Sequence, residues 1–329
     1  MSSAGPTEST TRAAEPSPVF VVGCPRSGTT MVANGLAAHP ELTVSPETHY
    51  LTYWRKWYPS DDPVSGELLE RLFASKRFSY LGVAREDVES RFASAGGRTH
   101  RSLFTAMMDA YASMMGRRRW GEKTPDHFRW IGTLLEWFPR ARMIFVVRDP
   151  RAMAASLRRV PWGRDDAASH ADLWTRAIEQ LERWLPDERV TYVRYCDYVC
   201  SPAEEAERLC SHIGERFDER VLRPTASDVP IFGREGEAWA KGHLERALSP
   251  PTASSLNGWR ESLPASHVAE VEHRIGEERL RAWGFEPRDR PGRASVAVRV
   301  AFKDGAARLR SAARRVSPRR PARTIPEPP

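Results

Sequence analysis

Cysteine is scarce in this 329-residue chain. Cys24, Cys196, Cys200 and Cys210 are the full set, with no paired CxxC spacing. That is too few to staple a chain of this length and lacks the ligand pairs of a zinc site. Disulfide scaffolds are therefore excluded, no metal is expected, and the four read as small buried thiols. Long apolar runs are missing too. Stretches such as Met143 to Val147 fall far short of the roughly 18 residues needed to cross hydrocarbon. The first eighteen residues, rich in Ser, Thr, Ala, Pro and Glu, have no apolar segment. No secretory leader is read there, and a cytoplasmic location is expected. No internal repeat is visible.

What remains is ordinary globular composition, 40% hydrophobic and 28% charged, at a length that suits one large domain or a domain with a lid. The formal net charge of +7 looks like a nucleic-acid signal until its position is read. From Arg288 onward twelve Lys/Arg face three Asp/Glu, which leaves residues 1–287 at −2. A basic tail on a nearly neutral body reads first as a solvated arm and second as a weak contact with an anionic membrane. No specific nucleic-acid partner is expected, and the oligomeric state is open. Residues 1–18 read as a disordered lead-in, 19–287 as the folded domain and 288–329 as a flexible basic tail.

Val19-Phe20-Val21-Val22 is β-branched and aromatic and ends at Gly23, the pattern of a buried strand. A helix from Thr29 to Ala38 follows and stops near His39-Pro40. A short strand at Leu42 to Val44 runs into Ser45-Pro46-Glu47-Thr48. Residues 50 to 119 carry helical periodicity, with Tyr50, Tyr53, Trp54, Trp57 and Tyr58 open to two readings, pocket lining or core. A second strand–loop–helix unit runs from Arg142 through Arg148-Asp149-Pro150-Arg151 to about Arg159. A third combines helix 168–185, strand 189–195 and helix 202–213. Helix returns over 268–283; in the tail, 296–302 alternates and 306–316 could be helical. The alternation predicts an α/β fold of P-loop-like, three-layer type, with a central parallel sheet flanked by helices.

In such sheets ligands bind beyond the carboxyl ends of the strands, where helix amides aim at an anion. The loop Gly23-Cys24-Pro25-Arg26-Ser27-Gly28-Thr29-Thr30 has P-loop spacing, but Thr29 stands where the phosphate-binding Lys is required. The cation has moved to Arg26. Backbone amides of Gly28 to Thr30 and the hydroxyls of Ser27, Thr29 and Thr30 complete a phosphate cradle. The loop Arg148-Asp149-Pro150-Arg151 also ends a buried strand and opens a helix. By itself it reads as a cap with a salt bridge; beside the first loop it suggests a bisphosphorylated nucleotide.

These segments, with Gly121-Glu122-Lys123-Thr124-Pro125 and with Ser156 after Arg148, resemble the sulfotransferase family that uses 3′-phosphoadenosine 5′-phosphosulfate (PAPS), over about residues 19 to 286. The resemblance implies PAPS as co-substrate, with no metal required. It places Arg26, Ser27, Gly28, Thr29 and Thr30 at the 5′-phosphosulfate end and Arg148 and Ser156 at the 3′-phosphate. Tyr195 is similar to a nucleotide-contacting Tyr, and Asn257, Gly258 and Trp259 resemble a late loop closing over the donor. The stretch His39-Pro40 through Pro46-Glu47-Thr48 resembles the bacterial and protein-tyrosine branches, where the matching Glu is the catalytic base. Two positions depart from the tyrosine-specific pattern: Val160 stands where an extra Arg is expected, with Arg159 as its substitute, and Asn257 replaces a Ser.

The implied chemistry is in-line transfer of a sulfuryl group to a hydroxyl or amine of a small-molecule or peptide acceptor. Glu47 takes the proton, and Arg26 and Lys123 meet the charge on the bridging and sulfuryl oxygens. His127 is a competing base, and Lys123, read on a shaped loop, has the alternative of a plain ion-pair partner. The other readings are a magnesium-dependent P-loop kinase or hydrolase, with Asp149 on the metal, and a non-catalytic scaffold whose basic tail docks on membrane. Loss of the P-loop Lys disfavours the first, and the full set of charged loop residues disfavours the second.

Overall fold

The computed structural model describes residues 17–55, 63–95, 98–163, 165–230, 248 and 254–288. The expected lead-in and tail, and Trp57 and Tyr58, lie outside them apart from residues 17, 18 and 288. The sheet has five strands, Val19–Gly23 (β1), Leu42–Ser45 (β2), Arg119–Lys123 (β3), Arg142–Val147 (β4) and Val190–Arg194 (β5), in the order β2-β3-β1-β4-β5. Every pairing is parallel, as the alternation of strands and helices requires.

β1 sits in the middle and is buried on both faces, which is why its sequence is a continuous apolar run. Phe20 and Val22 point into a core with Phe104, Trp120, Phe138, Phe145 and Trp174. Val19 and Val21 point the other way, onto Val32, Leu36, Ile144, Val146 and Val193. The period-2 alternation thus yields two helical layers around one sheet. Tyr50 and Trp54 are buried in the larger core, which decides for those two between packing and pocket lining.

Three expectations need correction. Arg119–Lys123 is a strand between β2 and β1, where the sequence suggested a loop around Lys123. Its charged residues give it little strand propensity, and tertiary context overrides that. Gly121 fits because a Cβ there would come 2.8 Å from the Val19 carbonyl oxygen, and Arg119 donates to the carbonyl oxygens of Ser17 and Ile213. The helix expected over 268–283 is two, Ala265–Ile275 and Glu277–Ala282, broken at Gly276 with φ 88°. Of the four thiols only Cys24 and Cys210 are buried, Cys200 is exposed, and all are free. Among the described residues no helix is long and apolar enough to cross a membrane.

Candidate active site

After β1 the chain crosses to the β2 side of the sheet, and after β3 it crosses back over β1 to β4, so the loops beyond the adjacent strands β3, β1 and β4 meet at one sheet edge. Gly23 lets β1 approach β4 closely, for a Cβ would come 2.5 Å from the Val146 carbonyl oxygen. The turn then closes with Ser27 N–H donating to the Cys24 carbonyl at 3.1 Å. Arg26 holds φ 69° and Gly28 φ 99°, the latter at the N-cap of the helix Thr29–Ala37, which has no side-chain cap and no acid in its first turn. That helix end presents amides to an anion. The Ser27 hydroxyl beside it is buried and makes no hydrogen bond, a group whose desolvation calls for a partner.

The second loop folds against the first. Arg148 Nη1 donates to the Arg26 carbonyl at 2.9 Å, and its guanidinium lies 4.4 Å from the centre of the Tyr195 ring. That ring fills the space beside Gly28, where a Cβ would collide with it. Burial lowers the Arg148 pKa from its ordinary value, so this cation would gain from a bound anion. Arg26 Nε donates to Ser156 Oγ at 3.1 Å, which brings together two residues assigned from sequence to opposite ends of a donor. Asp149 and Arg151 take the capping reading: the Asp149 carboxylate accepts from Arg151 N–H at 2.8 Å and pairs with its guanidinium, which also pairs with Glu272.

On the other side of β1 lies a carboxylate–ammonium pair. Lys123, the last residue of β3, places Nζ 2.6 Å from Glu47 Oε1, and His49 Nε2 lies 3.0 Å from Oε2. Burial pushes the Glu47 carboxyl up, but Lys123 and His49 outweigh it and hold it well below the ordinary value. His49 has φ 50° and its Nδ1 is buried without a hydrogen bond. Among the described residues Arg26 and His49 are the only non-glycine residues with positive φ, and they stand on the two loops that carry these groups.

His127, which the sequence offered as a competing base, sits in the core. Its ring is wholly buried, with Nδ1 3.0 Å from Glu122 Oε2 and Nε2 accepting from Leu51 N–H at 3.3 Å. Both nitrogens are occupied by the scaffold. Glu122, also fully buried, accepts on Oε1 from Thr48 N–H, Thr48 Oγ1 and Thr124 Oγ1. His49, Thr48 and Glu122 carried no signal of their own in the sequence beyond flanking Glu47 and Lys123.

The late segment reaches this edge differently from expectation. Trp259 is buried against Ala152, Ala154 and Ala155, with the Arg151 and Arg260 guanidiniums over its ring at 4.3 and 4.7 Å. It is packing that holds Gly258 and the exposed Asn257 against the helix Pro150–Leu157. Asn257 Oδ1 accepts from Arg260 Nε at 3.4 Å. Arg159 and Val160 lie beyond the end of that helix, and Arg159 is exposed. The edge therefore combines an uncapped helix end, two partly buried arginines and an ion-paired carboxylate, which suits transfer of an anionic group to a deprotonated acceptor.

A family model described as "Sulfotransferase family" matches residues 18–219. The chain is 30% identical to nodulation protein NoeE of Sinorhizobium fredii, over 81% of this chain and 65% of that protein. It is 23% identical to the protein-tyrosine sulfotransferase of Drosophila melanogaster, over 77% of this chain and 49% of that protein. It thus spans about half to two thirds of these relatives' length. Among solved structures, the sulfotransferase domain from the Synechococcus PCC 7002 olefin synthase aligns with a TM-score of 0.57 at 21% identity, covering 84% of this chain and 98% of that one. The sulfotransferase domain from the curacin biosynthetic pathway aligns at 0.53 and 18%, covering 83% and 99%.

Proposed function

The chain belongs to the sulfotransferase family, and from that premise we propose that it moves a sulfuryl group from PAPS to a hydroxyl or amine of a small-molecule or peptide acceptor. The observation that carries the reading is the pair Glu47–Lys123, 2.6 Å apart, set at the same sheet edge as an anion cradle without a P-loop lysine. The residues present fit the donor. The unpartnered Ser27 hydroxyl, the uncapped helix end at Gly28 to Thr30 and the Arg26 guanidinium would hold its 5′ end. Arg148 and Ser156 would hold the 3′-phosphate beside Tyr195, and Asn257 and Gly258 would close over it.

Glu47 takes the acceptor proton as the acceptor oxygen or nitrogen forms its bond to sulfur. The bond from sulfur to the bridging oxygen breaks, and the electron pair leaves on the 5′-phosphate. Lys123 and Arg26 offset that developing charge, as does the helix end, all in place before the reaction. Negative charge drawing Lys123 away from Glu47 would also raise the basicity of the carboxylate, so one contact couples acid–base work to leaving-group stabilisation. No step in this scheme uses a metal ion.

The test is calorimetric titration, without magnesium, with 3′-phosphoadenosine 5′-phosphate and separately with ATP. Tight binding of the bisphosphate and weak binding of ATP are expected, followed by transfer of labelled sulfate from PAPS to members of an acceptor panel. Binding of ATP alone would favour a kinase, and binding of neither ligand a scaffold.

A further inference from the structure

The pair Glu122–His127 is wholly buried, and its hydrogen bonds go to Thr48, Thr124 and Leu51 rather than to the Glu47 or Lys123 side chain. Its contacts nevertheless converge on Thr48 to Leu51, in the turn after β2. Glu122 Oε1 accepts from Thr48 N–H at 3.2 Å, Thr48 Oγ1 at 2.8 Å and Thr124 Oγ1 at 2.5 Å. Thr124 Oγ1 in turn accepts from His49 N–H at 3.1 Å, and His127 Nε2 accepts from Leu51 N–H at 3.3 Å. Tyr50 N–H goes to Thr48 Oγ1 at 3.2 Å. Every backbone N–H from Thr48 to Leu51 therefore bonds to this unit or to a hydroxyl that it holds.

Sheet register explains how a strand residue reaches so far. Ser45 of β2 pairs with Glu122 of β3, so the chain leaving β2 passes over residues 122–124. Side chains alternate along β3, and Lys123 lies between Glu122 and Thr124. The same strand end thus presents its ammonium to the Glu47 side chain and its carboxylate and hydroxyl to the backbone that carries Glu47.

We infer that Glu122, acting through Thr124 and His127, is the positioning residue that sets Glu47 against Lys123. The arrangement admits one protonation pattern. Leu51 N–H needs a lone pair on Nε2, so His127 carries its proton on Nδ1 and gives it to Glu122 Oε2; Glu122 must accept four times and donate none, which only a carboxylate does. A Gln at 122 would turn an NH₂ toward either the hydroxyls or the His127 N–H. Such an unsatisfiable buried group shifts the whole turn, since each contact depends on the next.

The inference rests on Glu47 being the base of the proposed reaction, and its test can fail separately from that reading. Carbon-13 NMR of glutamate-labelled protein follows the Glu47 carboxyl through pH, assigned with Glu47→Gln. Thr124→Val, isosteric but lacking the hydroxyl, is compared with Thr124→Ser, which keeps it, and with Glu122→Gln. In wild type the Glu47 midpoint lies below the ordinary carboxylate value. Thr124→Val and Glu122→Gln are expected to move it up by about one pH unit and to lower turnover on the acceptor found in the panel at least tenfold, on the scale of the roughly hundredfold cost of a 1 Å misplacement. Affinity for 3′-phosphoadenosine 5′-phosphate stays within about threefold, and Thr124→Ser restores both quantities. A merely structural unit would lower melting temperature and leave the Glu47 midpoint in place, and that result overturns the inference. If Glu122→Gln does not fold, the Thr124 pair decides. If Glu47→Gln turns over like wild type, the base reading falls whatever the titration shows.

Discussion

Arg26 Nε donates to Ser156 Oγ at 3.1 Å, tying the loop after β1 to the helix after β4. The sequence alone placed Arg26 at the 5′-phosphosulfate end of the donor, both holding the phosphate and meeting the charge on the reacting oxygens. The contact adds a further role, because removing the guanidinium also frees Ser156, a proposed 3′-phosphate ligand. Arg26→Ala is expected to weaken binding of 3′-phosphoadenosine 5′-phosphate by about tenfold, about 1.4 kcal/mol, as loss of one charged hydrogen bond would. Transfer should fall further than affinity. Calorimetry and transfer assays on the same preparation separate the two, and an unchanged dissociation constant would confine Arg26 to the reacting end.

Glu47→Gln removes the carboxylate without changing its size. Turnover is expected to drop by about 10²–10⁴, the usual range for loss of a general base, while the bisphosphate still binds as in wild type. His127 offers no fallback, since both of its ring nitrogens are engaged in the core. Residual turnover near the wild-type rate would show that the acceptor loses its proton to another group.

Gly28 and Tyr195 make one joint. With φ at 99° and the Tyr195 ring where a Cβ would go, Gly28→Ala meets both a backbone penalty of about 1–2 kcal/mol and a collision. Displacement of Tyr195 also takes away the ring beneath Arg148. The melting temperature and the bisphosphate affinity should both fall. Adding Tyr195→Ala relieves the collision but neither the dihedral nor the lost ring, so stability recovers in part and affinity does not. Wild-type affinity in Gly28→Ala would detach this joint from donor binding.

Much of this was legible in the chain because its signals are local. β1 and β4 are continuous apolar runs, and the Gly23–Thr30 and Arg148–Ser156 segments each carry their cation, hydroxyls and helix start within a few residues. β3 was not legible, for Arg119-Trp-Gly-Glu-Lys123 has neither an apolar run nor alternation and becomes a strand through its neighbours. Nor was the role of His127, whose partners Leu51 and Glu122 assemble only when β2 and β3 pair. Trp259 read as part of a ligand loop because its segment resembles one, whereas Ala152 and Ala155 on the facing helix leave it a packing niche.

The acid side of the stability curve tests the Glu47–Lys123 pair directly. Glu47 is held well below its ordinary carboxyl value because Lys123 and His49 together outweigh the burial that pushes it up. A carboxyl depressed on folding contributes stability that is complete above its unfolded value, near 4.3, and is lost as pH falls through the folded one. Glu122 has the same sign, with burial opposed by His127 and the two threonine hydroxyls. Wild-type melting temperature should therefore hold steady from neutrality to about pH 5 and fall below it. Lys123→Met removes the strongest attraction on Glu47 and leaves burial opposed by His49 alone. The Glu47 midpoint then rises, the pair's contribution at neutral pH disappears, and a loss of about 1–3 kcal/mol follows, typical of leaving a largely buried charge without its partner. Because that loss is already present at pH 7, the variant and wild type stay apart down to about pH 4 and converge below it, as wild-type Glu47 is protonated. Calorimetric melts at half-unit steps from about pH 2 to 7 measure the difference, and a gap that fails to narrow below about pH 4 would mean that the Glu47–Lys123 pair is not its source.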